Sequence, residues 1–213
     1  IGFRIPCRKQ QSMLTPIRTL LLWPQLTLLL GLSPVFAGSP EDAISIIDAA
    51  RLTGGVVVHL GTENEEFTAA LRQRDSIVVH GLVDRSDALA KARDYVSSKG
   101  LSGPVSFAVL TGKTLPYVDN SVNLVVATGP LPVTAEEVLR VLCPGGRLLL
   151  IDPGFWPPVR QLFNLALRIA PHAGDHRFHS AREARALVEG CRFTVSRVER
   201  VGIWAYLLVA DRR

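Results

Sequence analysis

Cysteine is scarce, at 3 in 213 residues, so a disulfide scaffold is excluded. Aromatics make up only 7%, and no heptad or solenoid period is present, which removes coiled coils and repeat arrays. The low-hydrophobicity, high-charge signature of disorder is also missing: 47% of the chain is hydrophobic and 20% charged. What remains is one sizeable core in a single α/β or α+β domain.

Acid is wholly lacking from positions 1–37, which hold Arg4, Arg8, Lys9 and Arg18. Setting those four aside leaves 20 basic against 19 acidic residues, a net of +1 in place of +5. A nearly neutral domain gives a polyanion little to steer toward, so no nucleic-acid partner is expected.

The basic opening is followed by an apolar run from Thr19 to Leu32 and then by Ser33-Pro-Val-Phe-Ala37. That is the order of a secretory signal, with cleavage expected between Ala37 and Gly38. An uncleaved anchor is the second reading. The run is short for a span of about 20 residues, and Pro24 and Gln25 break it. The positive charges precede the run and Glu41, Asp42 and Asp48 follow it, so either reading places residues 38–213 outside the cytoplasm, periplasmic or extracellular. Cys143 and Cys191 sit at separate element boundaries, where a disulfide is allowed but not required.

Past the leader, short apolar runs alternate with helical patterns. Strands are expected at Val56–Leu60, Ile77–Leu82, Val105–Leu110, Val122–Ala127 and Arg147–Asp152. Helices are expected at Glu41–Leu52, Asn64–Arg72, Asp87–Ser98 and Thr134–Leu142, the last with Thr134 and Glu137 at capping-box spacing and a stop at Pro144-Gly145-Gly146. Strands apolar throughout imply a parallel sheet covered on both faces, hence a doubly wound architecture. An amphipathic helix follows, with Val159, Leu162, Phe163, Ala166 and Leu167 on one side. Its favoured role is to cover the sheet; the second is a lid or a patch on a membrane surface. A helix at Ala181–Glu189 and strands at Phe193–Val201 and Trp204–Ala210 close the chain as an antiparallel hairpin.

Three segments carry a family resemblance. Val57-Val-His-Leu-Gly61 is similar to the first strand and glycine turn of class I S-adenosylmethionine-dependent methyltransferases. Leu115-Pro-Tyr-Val-Asp-Asn-Ser-Val-Asn-Leu-Val-Val126 resembles their approach to strand four, and Val138-Leu-Arg-Val-Leu-Cys-Pro-Gly-Gly-Arg-Leu148 their turn into strand five. The likeness covers about residues 54–152, with a family-like tail from 176 to 210, and its texture is that of the small-molecule type 11 group. It implies a seven-stranded sheet of order 3-2-1-4-5-7-6 with a terminal antiparallel hairpin.

The same resemblance implies S-adenosylmethionine as cofactor and a small, apolar methyl acceptor. In-line displacement works by proximity and alignment, so it demands no dedicated catalytic base. The cofactor contacts it implies are His59, Gly61, Thr62, Glu63, Val83, Asp84, Thr111, Gly112, Ala127, Thr128 and Gly129. Phe155, Trp156, His176 and Arg177 fall on the implied substrate side.

The cofactor motif is degenerate at four carboxylate positions. His59 stands two before the glycine, Val83 ends the second strand with Asp84 one step late, Thr111 follows strand three, and Asn123 precedes strand four. Those departures motivate the alternative of a non-catalytic binding module on the same scaffold, a pseudoenzyme. His172, Asp175, His176 and His179 are read as a polar loop and not as a metal site, because no cysteine or second carboxylate completes a ligand spacing. His80, on an apolar strand, is read as a satisfied core histidine.

Overall fold

The computed structural model describes residues 39–61, 64–129, 131–153, 157–169, 179–201 and 205–212. Its order is α1 (Pro40–Ala49), β1 (Gly55–Leu60), α2 (Glu65–Ala70), β2 (Ile77–Val83), α3 (Ser86–Ser98), β3 (Val105–Val109), β4 (Val122–Thr128), α4 (Ala135–Val141), β5 (Leu142–Pro153), α5 (Pro157–Ile169), α6 (Ala181–Gly190), β6 (Phe193–Val201) and β7 (Ala205–Arg212). The strands form one seven-stranded sheet of order β3-β2-β1-β4-β5-β7-β6. All pairings from β3 through β5 are parallel; β7 runs antiparallel to both β5 and β6.

Period two explains why these strands read as unbroken apolar runs. Val57, Val79, Leu124 and Val126 pack toward one side of the sheet with Ile46, Ile47 and Phe67. Val58, Leu60, Val125 and Leu148 pack toward the other with Val138, Val188 and Phe193. Each fully buried Val or Leu contributes roughly 1.5–3 kcal/mol, so both faces must be covered for the sheet to form.

Helix starts follow capping chemistry. Ser39 and Asp42 form a reciprocal capping box on α1, as Ser180 and Glu183 do on α6. On α4 only half of the expected box forms. Thr134 accepts from the Glu137 backbone amide, while the Glu137 carboxylate is taken by the Leu115 amide at 2.7 Å and by Arg140. Arg140 also donates to the Leu115 and Tyr117 carbonyls and to Asp119, binding the loop that leads into β4.

One expectation is corrected. Pro144-Gly145-Gly146 does not separate a helix from a strand: β5 starts at Leu142 and runs through it, with a register shift opposite Val122/Leu124 absorbing the irregularity. On α5, Val159 is half-buried and Leu162 is 65% exposed, while the side chains of Phe163, Ala166 and Leu167 lie outside those described. No helix among the described residues is long and apolar enough to cross a membrane. Cys143 and Cys191 are both free; Cys143 accepts from Asn123 Nδ2 and Cys191 donates to Glu136.

Candidate functional site

The strand order reverses at β1, which lies between β2 and β4, and the carboxyl ends of these strands open on a cavity of about 230 Å³. Open α/β sheets bind ligands at such a switch point, where the loops of neighbouring crossovers diverge and leave a crevice. Gly61, Val83, Asp84, Gly112 and Thr128 line it, together with Lys113 and Pro132, which sequence reasoning did not single out.

Gly61 follows Leu60, whose partner on β4 is Ala127, so the next step along both strands brings Gly61 against Thr128. A Cβ on Gly61 would lie 2.1 Å from Thr128 Oγ1 and 2.9 Å from His59 Nε2. Only glycine fits against these side chains, and Gly61 lines the crevice with backbone alone.

His59 is not a wall of the crevice. It is 2% exposed and lies behind Gly61 on the α2 side of the sheet, its ring tilted against Phe67. Nδ1 is 2.7 Å from Thr68 Oγ1 and Nε2 is 3.0 Å from Thr128 Oγ1. The Thr68 hydroxyl donates to the Asn64 carbonyl, so its oxygen must accept from Nδ1–H. Nε2 is then the bare nitrogen and receives the Thr128 hydroxyl. Burial drives the pKa of His59 down to about 4, so the ring is neutral at physiological pH.

Asp84 follows the last residue of β2, buried Val83, and is itself exposed on the rim of the crevice. The one-step displacement seen in sequence therefore does not turn the carboxylate away, because the chain has already left the strand at Val83. Ala127 is buried in the sheet, Gly129 turns away with φ +101°, and Thr111 is exposed without lining the crevice. Thr62, Glu63, Phe155, Trp156, His176 and Arg177 lie outside the described residues, as do His172 and Asp175.

Asn123 is corrected outright. It sits at the amino end of β4, at the opposite edge of the sheet from the crevice. Its Oδ1 accepts the Val56 amide at 2.9 Å, and a Cβ on Gly55 would lie 2.1 Å from that oxygen. Asn123 is a clasp between β1, β4 and β5 and does not line the crevice. His80 is half-buried, with Nδ1 2.7 Å from the Tyr117 hydroxyl; burial lowers its pKa and raises that of Tyr117.

A second cavity, of about 300 Å³, lies between the end of β5, the start of α4, and α6. Asp152 lines it, one strand-period beyond Leu148 and Leu150 on the same face. It is 1% exposed, and its cross-strand neighbour Tyr206 donates to Oδ2 at 3.2 Å. Oδ1 has no hydrogen-bond partner among the described residues. Burial pushes the carboxyl up to about 7, with the Tyr206 hydroxyl and the His179 backbone amide opposing it more weakly. Sequence reasoning missed Asp152. The available signal was a lone acid ending the run Leu148-Leu-Leu-Ile151 at a carboxyl edge.

The sheet order, the hairpin and the crevice at the β1/β4 reversal decide the architecture. The fold is that of the class I methyltransferases. No family model matches the sequence. The chain is 34% identical over 158 residues to the ubiquinone/menaquinone biosynthesis C-methyltransferase UbiE of Stutzerimonas stutzeri, covering 69% of this chain and 57% of that protein. To the UbiE of Pseudomonas putida strain GB-1 it is 29% identical over 183 residues, covering 80% and 64%. It thus spans under two thirds of the length of either relative.

Among solved structures, the geranyl diphosphate C-methyltransferase of Streptomyces coelicolor superposes with a TM-score of 0.66 at 16% identity, covering 81% of this chain and 76% of that one. The [4+2]-cyclase SpnF superposes with a TM-score of 0.64 at 16% identity, covering 81% and 80%. The class I methyltransferase fold is common to both, and their differing reactions place the burden of function on the site.

Proposed function

We propose that this chain is an S-adenosylmethionine-dependent methyltransferase acting on a small, apolar acceptor. The observation that carries the reading is the crevice at the β1/β4 reversal, which a glycine without room for a Cβ and an exposed acid line together. Those residues suit the cofactor. Bare backbone at Gly61 permits close approach, and the Asp84 carboxylate offers paired acceptors for ribose hydroxyls. The Thr128 hydroxyl, committed as donor to His59, keeps its oxygen lone pairs as acceptors for an ammonium group.

When bound, S-adenosylmethionine supplies a sulfonium methyl group to a nucleophile. The chain's own part is to hold and align, which is all that in-line displacement demands. The name of the UbiE relatives, C-methyltransferase of ubiquinone/menaquinone biosynthesis, supports carbon as the methylated atom and a quinone precursor as the acceptor class we carry over. The non-catalytic alternative loses much of its motivation, because Asn123 lies at the wrong edge of the sheet and Asp84 returns a carboxylate to the rim.

Export remains a separate proposal, supported by the charge order around the apolar run of 19–32. Amino-terminal sequencing of the mature protein tests it: a start at Gly38 is expected, and an intact leader overturns cleavage. Calorimetric titration of the purified chain tests the enzyme. Saturable S-adenosylmethionine binding at micromolar concentration is expected, and no heat up to millimolar would end the reading.

A further inference from the structure

We infer that the cavity beside Asp152 is a binding site for a small apolar molecule bearing a hydroxyl group, which Asp152 Oδ1 receives as a hydrogen-bond acceptor. Leu131, Val133, Leu150, Leu187 and Val188 supply apolar walls, and the volume of about 300 Å³ is at the lower end of small-molecule sites. Asp152 supplies the convergent polar group that fixes orientation. It is 1% exposed, held from behind by Tyr206 through Oδ2, with Oδ1 lacking a partner among the described residues. Buried acceptors are almost always paired, since leaving one without a donor forfeits its hydration. A neutral hydroxyl supplies that donor at less desolvation cost than an ammonium would.

Placement connects this cavity to the crevice already described. The turn after β4 lines both: Pro132 faces the crevice, while Leu131 and Val133 wall the cavity. In the methyl-transfer reading the occupant is the methyl acceptor. The inference rests on that reading for the ligand's fate and not for its binding.

Fluorescence titration of the full chain with 1-naphthol and with 1-methylnaphthalene at pH 8, without cofactor, tests it. The wild type is expected to bind 1-naphthol about tenfold more tightly than 1-methylnaphthalene, the range of a hydrogen bond to a charged group. In Asp152→Leu that preference falls to about one while 1-methylnaphthalene still binds. Leu187→Trp, on a residue 53% exposed at the cavity wall, fills the space and weakens both ligands about tenfold or more, providing the test should Asp152→Leu fail to fold.

Equal binding of the two probes by the wild type, a preference that survives Asp152→Leu, or indifference of both probes to Leu187→Trp would overturn the site. S-adenosylmethionine titrated in parallel separates the two ideas. A wild type that binds 1-naphthol selectively but takes up no cofactor ends the enzyme and leaves this site standing; the converse result ends this site alone.

Discussion

His59 Nε2 and Thr128 Oγ1 lie 3.0 Å apart across adjacent strands, directly behind the glycine that floors the crevice. Because Nδ1 must donate to Thr68, the imidazole is locked as the Nδ1–H tautomer and orients the Thr128 hydroxyl inward. One buried ring thereby ties β1 to α2 and β4, and sets which atoms of Thr128 a ligand meets.

Gly61→Ala tests the closeness of that packing. A methyl group there meets Thr128 Oγ1 at 2.1 Å, so a lower melting temperature and S-adenosylmethionine affinity reduced at least about tenfold are expected in calorimetry. Unchanged affinity would show that the backbone at the end of β1 does not approach the cofactor.

Asp84→Asn addresses the rim. The residue is exposed, so unfolding of the ligand-free protein is expected to be unaltered. Affinity for S-adenosylmethionine should fall roughly tenfold to a hundredfold, the loss of a charged acceptor for hydroxyls worth about 1.5–3 kcal/mol. An affinity equal to wild type would remove Asp84 from the site.

Asn123→Ala should behave in the opposite way. It leaves the Val56 amide without its acceptor and is expected to cost about 1–3 kcal/mol in denaturant unfolding. Cofactor affinity is expected to be unchanged, because the residue sits at the far edge of the sheet. A variant of wild-type stability that binds cofactor poorly would reverse the assignment.

His59 and Asp152 should impose opposing pH dependences on stability. Folded His59 refuses a proton until about pH 4, whereas its unfolded form takes one near 6.5, so its contribution is lost as pH falls from 6.5 to 4. Folded Asp152 keeps its proton up to about 7, whereas the unfolded carboxyl releases it near 3.8, so its contribution is lost as pH rises through that window. Each slope approaches about 1.4 kcal/mol per pH unit, and between pH 4 and 6.5 they largely cancel. Relative to wild type, Asp152→Asn should gain stability with rising pH and His59→Gln should lose it. Urea melts at pH 4.5, 5.5 and 6.5 measure both; parallel curves for all three proteins would refute the pair.

Much of the fold was legible in the chain because a strand covered on both faces must be apolar throughout, and β1 to β4 each carry that run. Boundaries shifted where a local rule competed with pairing. Pro144-Gly145-Gly146 has the composition of a stop, yet β5 carries it as an irregularity between the pairings of Leu142 with Val122 and of Arg147 with Leu124. The site was half legible. Gly61 and Thr128, which the resemblance named, line the crevice, and Asp84 reaches its rim although one step late in the motif, while Asn123 shares the motif but points to the other end of the strand, and Asp152 belongs to no motif.

Composition and period therefore determined by themselves that this chain builds a wound parallel layer with a closing hairpin, since hydrophobic burial depends on which residues alternate and not on where distant segments meet. Only the tertiary structure decided what the polar residues do. Whether His59 faces a ligand or two threonines, whether Asp84 regains the rim, and whether Asp152 Oδ1 finds a partner all depend on strands and helices far apart in the chain. Hydrogen bonds act over about 3 Å, so only the packed arrangement of those elements settles which are made.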